Sequence, residues 1–217
     1  MSIARYIDYT LLKATGTVAD VKRMCREAMQ YNFAAVCVHT GFVKLCAQLL
    51  AESGVGVATV VGFPFGADKP EIKAMAAELA VADGATEIDM VMNIGHMLSG
   101  NTAAVKDDIA TVVEAVRGRA LVKVIIETAY LSREQIVLAS KLVQEAGADF
   151  VKTSTGFAPS GAKVEDIALI RQTVGPDFGI KASGGISDYQ TAKKMLDAGA
   201  TRLGASAGVA IAEGEPK

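Results

Sequence analysis

Cysteine and histidine are scarce in this chain, with 3 of the first and 2 of the second. Cys25, Cys37 and Cys46 are odd in number and show no C-x-x-C spacing, so a disulfide framework is excluded. They read as small buried hydrophobes or free thiols of a reducing compartment, and a cytoplasmic location is expected. His39 and His96 lack the clustered Cys or carboxylate partners of a metal site, so no metal and no cofactor is expected. Charge of one sign is also missing. The 22 Lys and Arg nearly balance 24 Asp and Glu, for a formal net charge of −2. With no basic block, the chain has no electrostatic footprint for nucleic acid or an anionic membrane. Residues 1–12 mix Arg5, Tyr6, Asp8 and Tyr9 with apolar residues, unlike the apolar core of a signal peptide. No uncharged apolar run approaches the roughly 18 residues of a membrane span.

The 217 residues are 51% hydrophobic and 21% charged, an ordinary globular composition. A single core of this size buries about 70% of the surface the unfolded chain exposes, so neither disulfide nor structural metal is required. No Pro- or Ser-rich linker divides the chain, and one domain over residues 1–217 is expected.

The dominant pattern is a recurring phrase in which a helical segment ends in Gly or Asn and a short β-rich apolar run follows. It recurs at 31–38, 54–61, 84–91, 147–152 and 199–204, with looser copies at 121–127 and 178–182. The Gly or Asn suits a left-handed helix C-terminus, and continuous apolar runs suit strands buried on both faces. Amphipathic segments lie between, at 18–29 and 134–143 for example, with helix starts marked by Pro70-Glu71, Ser132-x-x-Gln135 and Ser187-Asp188. With residues 6–10 as a first strand, the runs make eight units, the count of a (β/α)8 TIM barrel in one compact domain. A doubly wound sheet would carry G-x-G-x-x-G after its first strand, and none is present.

In such a barrel the reactive groups come from strand C-terminal ends, so polar residues inside apolar strands need explaining. Strand four holds Glu87 and Asp89, strand five Lys123 and Glu127, strand six Lys152, and strand seven Lys181. A lysine in mid-strand is costly as an ammonium and tends to lose its proton, which is what an amine nucleophile requires. If Lys152 and Lys181 both point inward, each is expected to lower the proton affinity of the other, with Asp89 relaying protons through a water. An outward lysine snorkelling between helices is the plain alternative for either one alone. Gly184-Gly185 after strand seven and Gly204 to Gly208 after strand eight leave backbone N–H groups bare at the usual phosphate site of barrel enzymes. One glycine pair is explained by a tight turn; two on consecutive strands favour phosphate. The residues alone thus suggest an amine nucleophile facing a phosphorylated small molecule. Cys37 and Lys123 are further candidates for lining the site, His39 for the barrel mouth, and Gly62-Phe63-Pro64-Phe65-Gly66 for a rigid substrate-facing loop.

On these residues the chain resembles the deoxyribose-phosphate aldolase family, of the short bacterial and archaeal type. The resemblance rests on Asp8 to Lys13, Val36-Cys37-Val38, Thr59 to Pro64, Glu87 to Val91, Lys123 to Thr128, Phe150 to Phe157 and Lys181 to Ile186, and covers nearly the whole chain. It implies metal-free, Schiff-base cleavage of 2-deoxy-D-ribose 5-phosphate to D-glyceraldehyde 3-phosphate and acetaldehyde, as in deoxyribose phosphate catabolism. Lys152 matches the Schiff-base lysine, Lys181 and Asp89 the proton-transfer pair, and Gly156, Gly184, Gly185, Gly204 and Ser206 the phosphate region. The chain departs from the family at Tyr9, where His is usual, at His39-Thr40, where Asn-Pro is frequent, and at its end, which lacks the terminal Tyr of some relatives. Another phosphosugar barrel enzyme, or a phosphosugar-binding protein without turnover, is the alternative. The expected partners are phosphosugar and aldehyde substrates. A homodimer or homotetramer is also expected, since barrel outer faces often self-associate. The length falls below the roughly 250 residues typical of the barrel, which predicts short loops, no inserted lid and a clipped last helix.

Overall fold

The computed structural model describes residues 2–216 as a closed parallel barrel in the order β1 to β8, each strand bonded to the next and β8 to β1. The strands are β1 (Ile7–Leu11), β2 (Ala35–Val38), β3 (Gly56–Val61), β4 (Glu87–Val91), β5 (Leu121–Ile125), β6 (Phe150–Lys152), β7 (Gly179–Ser183) and β8 (Arg202–Ala205). Outside them pack α1 (Val18–Tyr31), α2 (Val43–Leu50), α3 (Pro70–Ala82), α4 (Ile94–Leu98), α5 (Thr102–Val116), α6 (Arg133–Glu145), α7 (Val164–Val174), α8 (Tyr189–Asp197) and α9 (Gly208–Glu213).

Local chemistry sets the boundaries. Thr17 and Ser132 close reciprocal capping boxes at the starts of α1 and α6, Pro70 opens α3, and Asp188 caps α8. Asn32, Gly84, Gly147 and Gly199 all turn left-handed where helices give way to strands, as the repeat predicts. β1 begins one residue later than expected, because Ile3–Tyr6 first makes a 3-10 turn. The last helix is short, as expected, with its bounds at Gly208 and Glu213.

The strands sort residues by alternation. Ile7, Val36, Val57, Ile88, Met90, Val122, Val124, Val151, Ile180 and Leu203 face the helices in the main apolar core. The barrel interior divides in two. Ala35, Cys37, Ala58 and Val60 of β2 and β3 form a small apolar cluster with Leu12, and Phe63 leans on it. β1, β4, β5, β6, β7 and β8 contribute Asp8, Glu87, Asp89, Lys123, Lys152, Lys181 and Arg202, mostly fully buried.

A second buried charge pair ties the outer layer to the barrel. Lys73 of α3 meets Asp108 of α5 at 2.8 Å and donates to the Val91 carbonyl at 2.9 Å. Asp108 also accepts from Asn93 N at 3.0 Å, so the end of β4 is pinned from outside. Nearby, Gly66 has φ +69 and approaches so closely that an added Cβ would lie 1.9 Å from the Met92 carbonyl oxygen. Gly66→Ala is therefore expected to cost more than about 3 kcal/mol in urea unfolding. At Gly100, φ is +73 with nothing within 4 Å. Alanine there carries only the backbone strain, about 1 kcal/mol.

Candidate active site

Strand register builds the charged interior. Asp89 lies level with Lys123 across β4 and β5, Lys152 level with Lys181 across β6 and β7, and Lys181 level with Arg202 across β7 and β8. The three lysine stems converge on one carboxylate. Lys123 Nζ is 2.8 Å from Asp89 Oδ1, while Lys152 and Lys181 share Asp89 Oδ2 at 2.6 and 2.7 Å. Lys181 also pairs with Asp8, Lys123 pairs with Glu87 and reaches Asp8 at 3.5 Å, and Arg202 contacts Asp8 at 2.7 Å and Glu87 at 3.1 Å. The Lys181 stem passes over Gly204, where a Cβ would come within 3.0 Å of Cε.

Four cations thus share three carboxylates in direct ion pairs. Burial disfavours every ammonium in the group, so each group's proton affinity depends on how many carboxylates answer the burial. Lys123 meets Asp89, Asp8 and Glu87, which outweigh its burial and hold its proton. Burial also opposes charge on Lys181, but Asp8 and Asp89 outweigh it and raise its pKa. Lys152 has only Asp89. Burial dominates, the Lys181 charge adds to it, and its pKa falls. The expected mutual lowering therefore holds for Lys152 alone. Lys181 is shifted the other way because Asp8, on a distant strand in sequence, supplies a second counter-ion. Asp89 is fully buried, yet three ammoniums drive its pKa well below the usual carboxylate range. The ammoniums thus favour its ionised form against its burial.

Lys152, 3% exposed, is the member of this cluster that reaches the cavity above the barrel. That cavity measures about 780 Å³. It is lined by Lys152, Gly156, Gly184, Gly185, Gly204 and Ser206 among others, so the predicted lysine and glycines meet in one space. Gly184 and Gly185 are left-handed at φ +84 and +77. Gly184 is pressed against Gly161, whose added Cβ would lie 2.2 Å from the Gly184 oxygen. The α8 start is closed by its own Asp188, so any anion would meet the glycine backbone before the helix end. Residues 11–15 and Arg23 also line the cavity.

Other expectations need correction. Cys37 and Lys123 do not line the cavity: both are wholly buried, Cys37 in the apolar half of the interior and Lys123 paired with Asp89. Burial pushes the Cys37 thiol up, so it is a packed, un-ionised group. The Gly62 to Gly66 loop reaches the cavity indirectly, through Phe63 packed edge-on against Phe157 at 5.4 Å. His39 donates from Nε2 to the Leu12 carbonyl at 2.9 Å and packs on Phe63. Tyr9 turns toward α1, where its hydroxyl donates to Glu27 at 2.7 Å, and burial with that partner pushes its pKa up to about 12. The counter-ion Asp8 and its anchor Arg202 carry no role in the sequence reading. Alternation would have found them: Arg202-Leu203-Gly204 places the charge on the same face as Gly204.

A parallel barrel that keeps one amine poised to lose its proton at the floor of an open cavity is built for covalent chemistry through lysine. Residues 3–213 match the family described as DeoC/LacD family aldolase, and the chain belongs to that family. It is 55% identical to Deoxyribose-phosphate aldolase 1 of Bacillus licheniformis over 98% of this chain and 95% of that one. It is likewise 55% identical to the deoxyribose-phosphate aldolase of Streptococcus gordonii, over 99% and 97%. Among solved structures, a deoxyribose phosphate aldolase from Aeropyrum pernix, described as a unique tetramer, superposes with TM-score 0.90 at 33% identity, covering 97% of this chain and 89% of that one.

Asp89→Asn leaves buried ammoniums without their shared counter-ion, and is expected to cost about 3–5 kcal/mol of stability at neutral pH. Because folding lowers the Asp89 pKa from 3.8, its contribution is full above that value and fades as pH falls below it. Urea unfolding measured from neutral pH to acid should therefore show the gap between wild type and variant narrowing only at the acidic end.

Proposed function

We propose that this protein is a Schiff-base aldolase that reversibly cleaves 2-deoxy-D-ribose 5-phosphate to D-glyceraldehyde 3-phosphate and acetaldehyde. The observation that carries the reading is the place of Lys152, the cluster amine that opens on the cavity, with Nζ 2.6 Å from Asp89 and with burial pushing its pKa down. Its free electron pair adds to the aldehyde carbon C1 of the open-chain sugar. The oxygen takes one proton from the attacking nitrogen and one from the Lys181 ammonium and leaves as water, giving a protonated imine and a neutral Lys181. The C2–C3 bond then breaks: the C3 hydroxyl releases its proton to the now neutral Lys181, and the bonding pair moves through C1 to nitrogen as an enamine. C3 departs as the aldehyde of glyceraldehyde 3-phosphate. Protonation of C2 and addition of water release acetaldehyde and restore the amine.

Asp89 Oδ2 touches both nitrogens, at 2.6 and 2.7 Å, and so keeps the proton carrier beside the reacting one. The imine's positive charge replaces the ammonium charge that Lys152 gives up, opposite a carboxylate already in place. Gly156, Gly184, Gly185 and Ser206 suit the phosphate, presenting backbone and a hydroxyl on the cavity wall. A non-catalytic binding protein would have no use for a depressed lysine beside a fixed anion. Metal-dependent sugar epimerisation would have no use for the lysine.

Free thiols fit a reducing cytoplasm, and among the described residues no helix is long and apolar enough to cross a membrane. Self-association fits the apolar stripe Ile72, Met75 and Leu79 on α3, each more than half exposed.

Borohydride added with deoxyribose 5-phosphate should fix a covalent adduct that peptide mass mapping finds on Lys152. Lys152→Ala should lose roughly a thousandfold or more of turnover while remaining folded. An adduct on another residue, or full activity in Lys152→Ala, contradicts the mechanism.

A further inference from the structure

Glu127 is a buried carboxylate that the mechanism above leaves unused. It lies two residues past the end of β5, is 1% exposed, and takes a left-handed φ of 52 that glutamate seldom adopts. The backbone on either side of it stays bonded to the segment bearing Lys152. Ile126 N donates to the Lys152 carbonyl and Thr128 N to the Thr153 carbonyl, both at 3.0 Å. The left-handed turn between those two bonds aims the side chain at Thr155. Thr155 N lies 3.3 and 3.2 Å from the two carboxylate oxygens, and the Thr155 hydroxyl donates to Oε2. That hydroxyl in turn accepts from Phe157 N at 3.0 Å. Burial raises the Glu127 pKa, while the Thr155 donors favour the ionised form.

Gly156 is held between these two tied residues, left-handed at φ +88, with nothing within 4 Å where a Cβ would stand. Thr155, Gly156 and Phe157 all line the cavity that Lys152 opens into, together with Gly184, Gly185 and Ser206. The aldehyde end of the substrate must reach Lys152 at the floor, so the phosphate, four carbons away, meets the wall above. Glu127 itself does not line the cavity; its carboxylate takes the Thr155 donors from behind the wall.

We propose that Glu127 is a positioning residue that acts through Thr155 to fix the Gly156 segment against the substrate phosphate. It thereby sets the preference for phosphorylated over unphosphorylated sugar. The inference rests on the aldolase reading and deepens it.

The test compares kcat and KM for deoxyribose 5-phosphate and for unphosphorylated deoxyribose in the full chain. In Glu127→Gln one acceptor becomes an amide donor facing Thr155. KM for the phosphorylated sugar should rise about tenfold, the scale of a lost hydrogen bond to a charged group, with kcat changed far less. kcat/KM for the unphosphorylated sugar should stay within about threefold, so the preference shrinks. Thr155→Val should shrink it in the same way and Thr155→Ser should restore it; if Glu127→Gln fails to fold, this pair decides. Variants that lose stability, or activity on both sugars equally, with the preference intact overturn the proposal. Borohydride trapping with acetaldehyde on the same samples separates the two claims: wild type that traps on Lys152 while the variants keep their preference overturns the positioning role alone. Wild type that does not trap overturns the aldolase reading and this inference with it.

Discussion

Asp89 lies where solvent does not reach, with Lys123 on one carboxylate oxygen and Lys152 and Lys181 on the other. One buried anion cannot neutralise three ammoniums. Asp8 and Glu87 supply two more negative charges, and Arg202 adds a further positive one. Burial disfavours charge throughout the cluster, and the cation poorest in ion-pair partners is the one whose pKa falls. Lys152 contacts a single carboxylate and is the member that reaches the cavity. Nucleophilicity here follows from counting charges in a low-dielectric interior, and the same count keeps Lys181 protonated as a donor.

The rest of the fold serves that constraint. Parallel strands bring residues far apart in sequence to one level, such as Lys152 with Lys181, and bring the Asp8 side chain to the Lys181 amine. The apolar half of the interior, around Cys37, Ala58 and Val60, excludes water from one side of the cluster. Outside, Lys73 and Asp108 clamp the end of the strand that bears Asp89. Glycine is used where backbone or a lysine stem needs the room of a side chain, at Gly204 beneath Lys181 and at Gly184 against Gly161.

Much of this was legible in the sequence. The helix-to-strand phrase revealed eight units because each recurs with a left-handed cap and a buried run, both local properties. Lys152, Lys181 and Asp89 stood out because charge inside an apolar strand is costly. What the sequence concealed was pairing. The opposite directions in which Lys152 and Lys181 shift depend on Asp8, which lies in the first strand and becomes a neighbour only when the barrel closes. Arg202 alternates onto the inner face with Gly204, but its partners Asp8 and Glu87 lie on strands distant in sequence. The depth of Lys123 and Cys37 was equally hidden, since alternation tells inward from outward but not floor from mouth.

The central claim is that the cluster makes Lys152, and not Lys181 or Lys123, the amine that deprotonates most readily. Competitive acetylation of the native protein across a pH series, read by peptide mass for each lysine, measures this directly. Lys152 should become reactive with a midpoint below the ordinary lysine value of 10.5, while Lys181 and Lys123 remain protected above it. A Lys152 midpoint at or above that value, or earlier reaction of Lys181, would contradict the account.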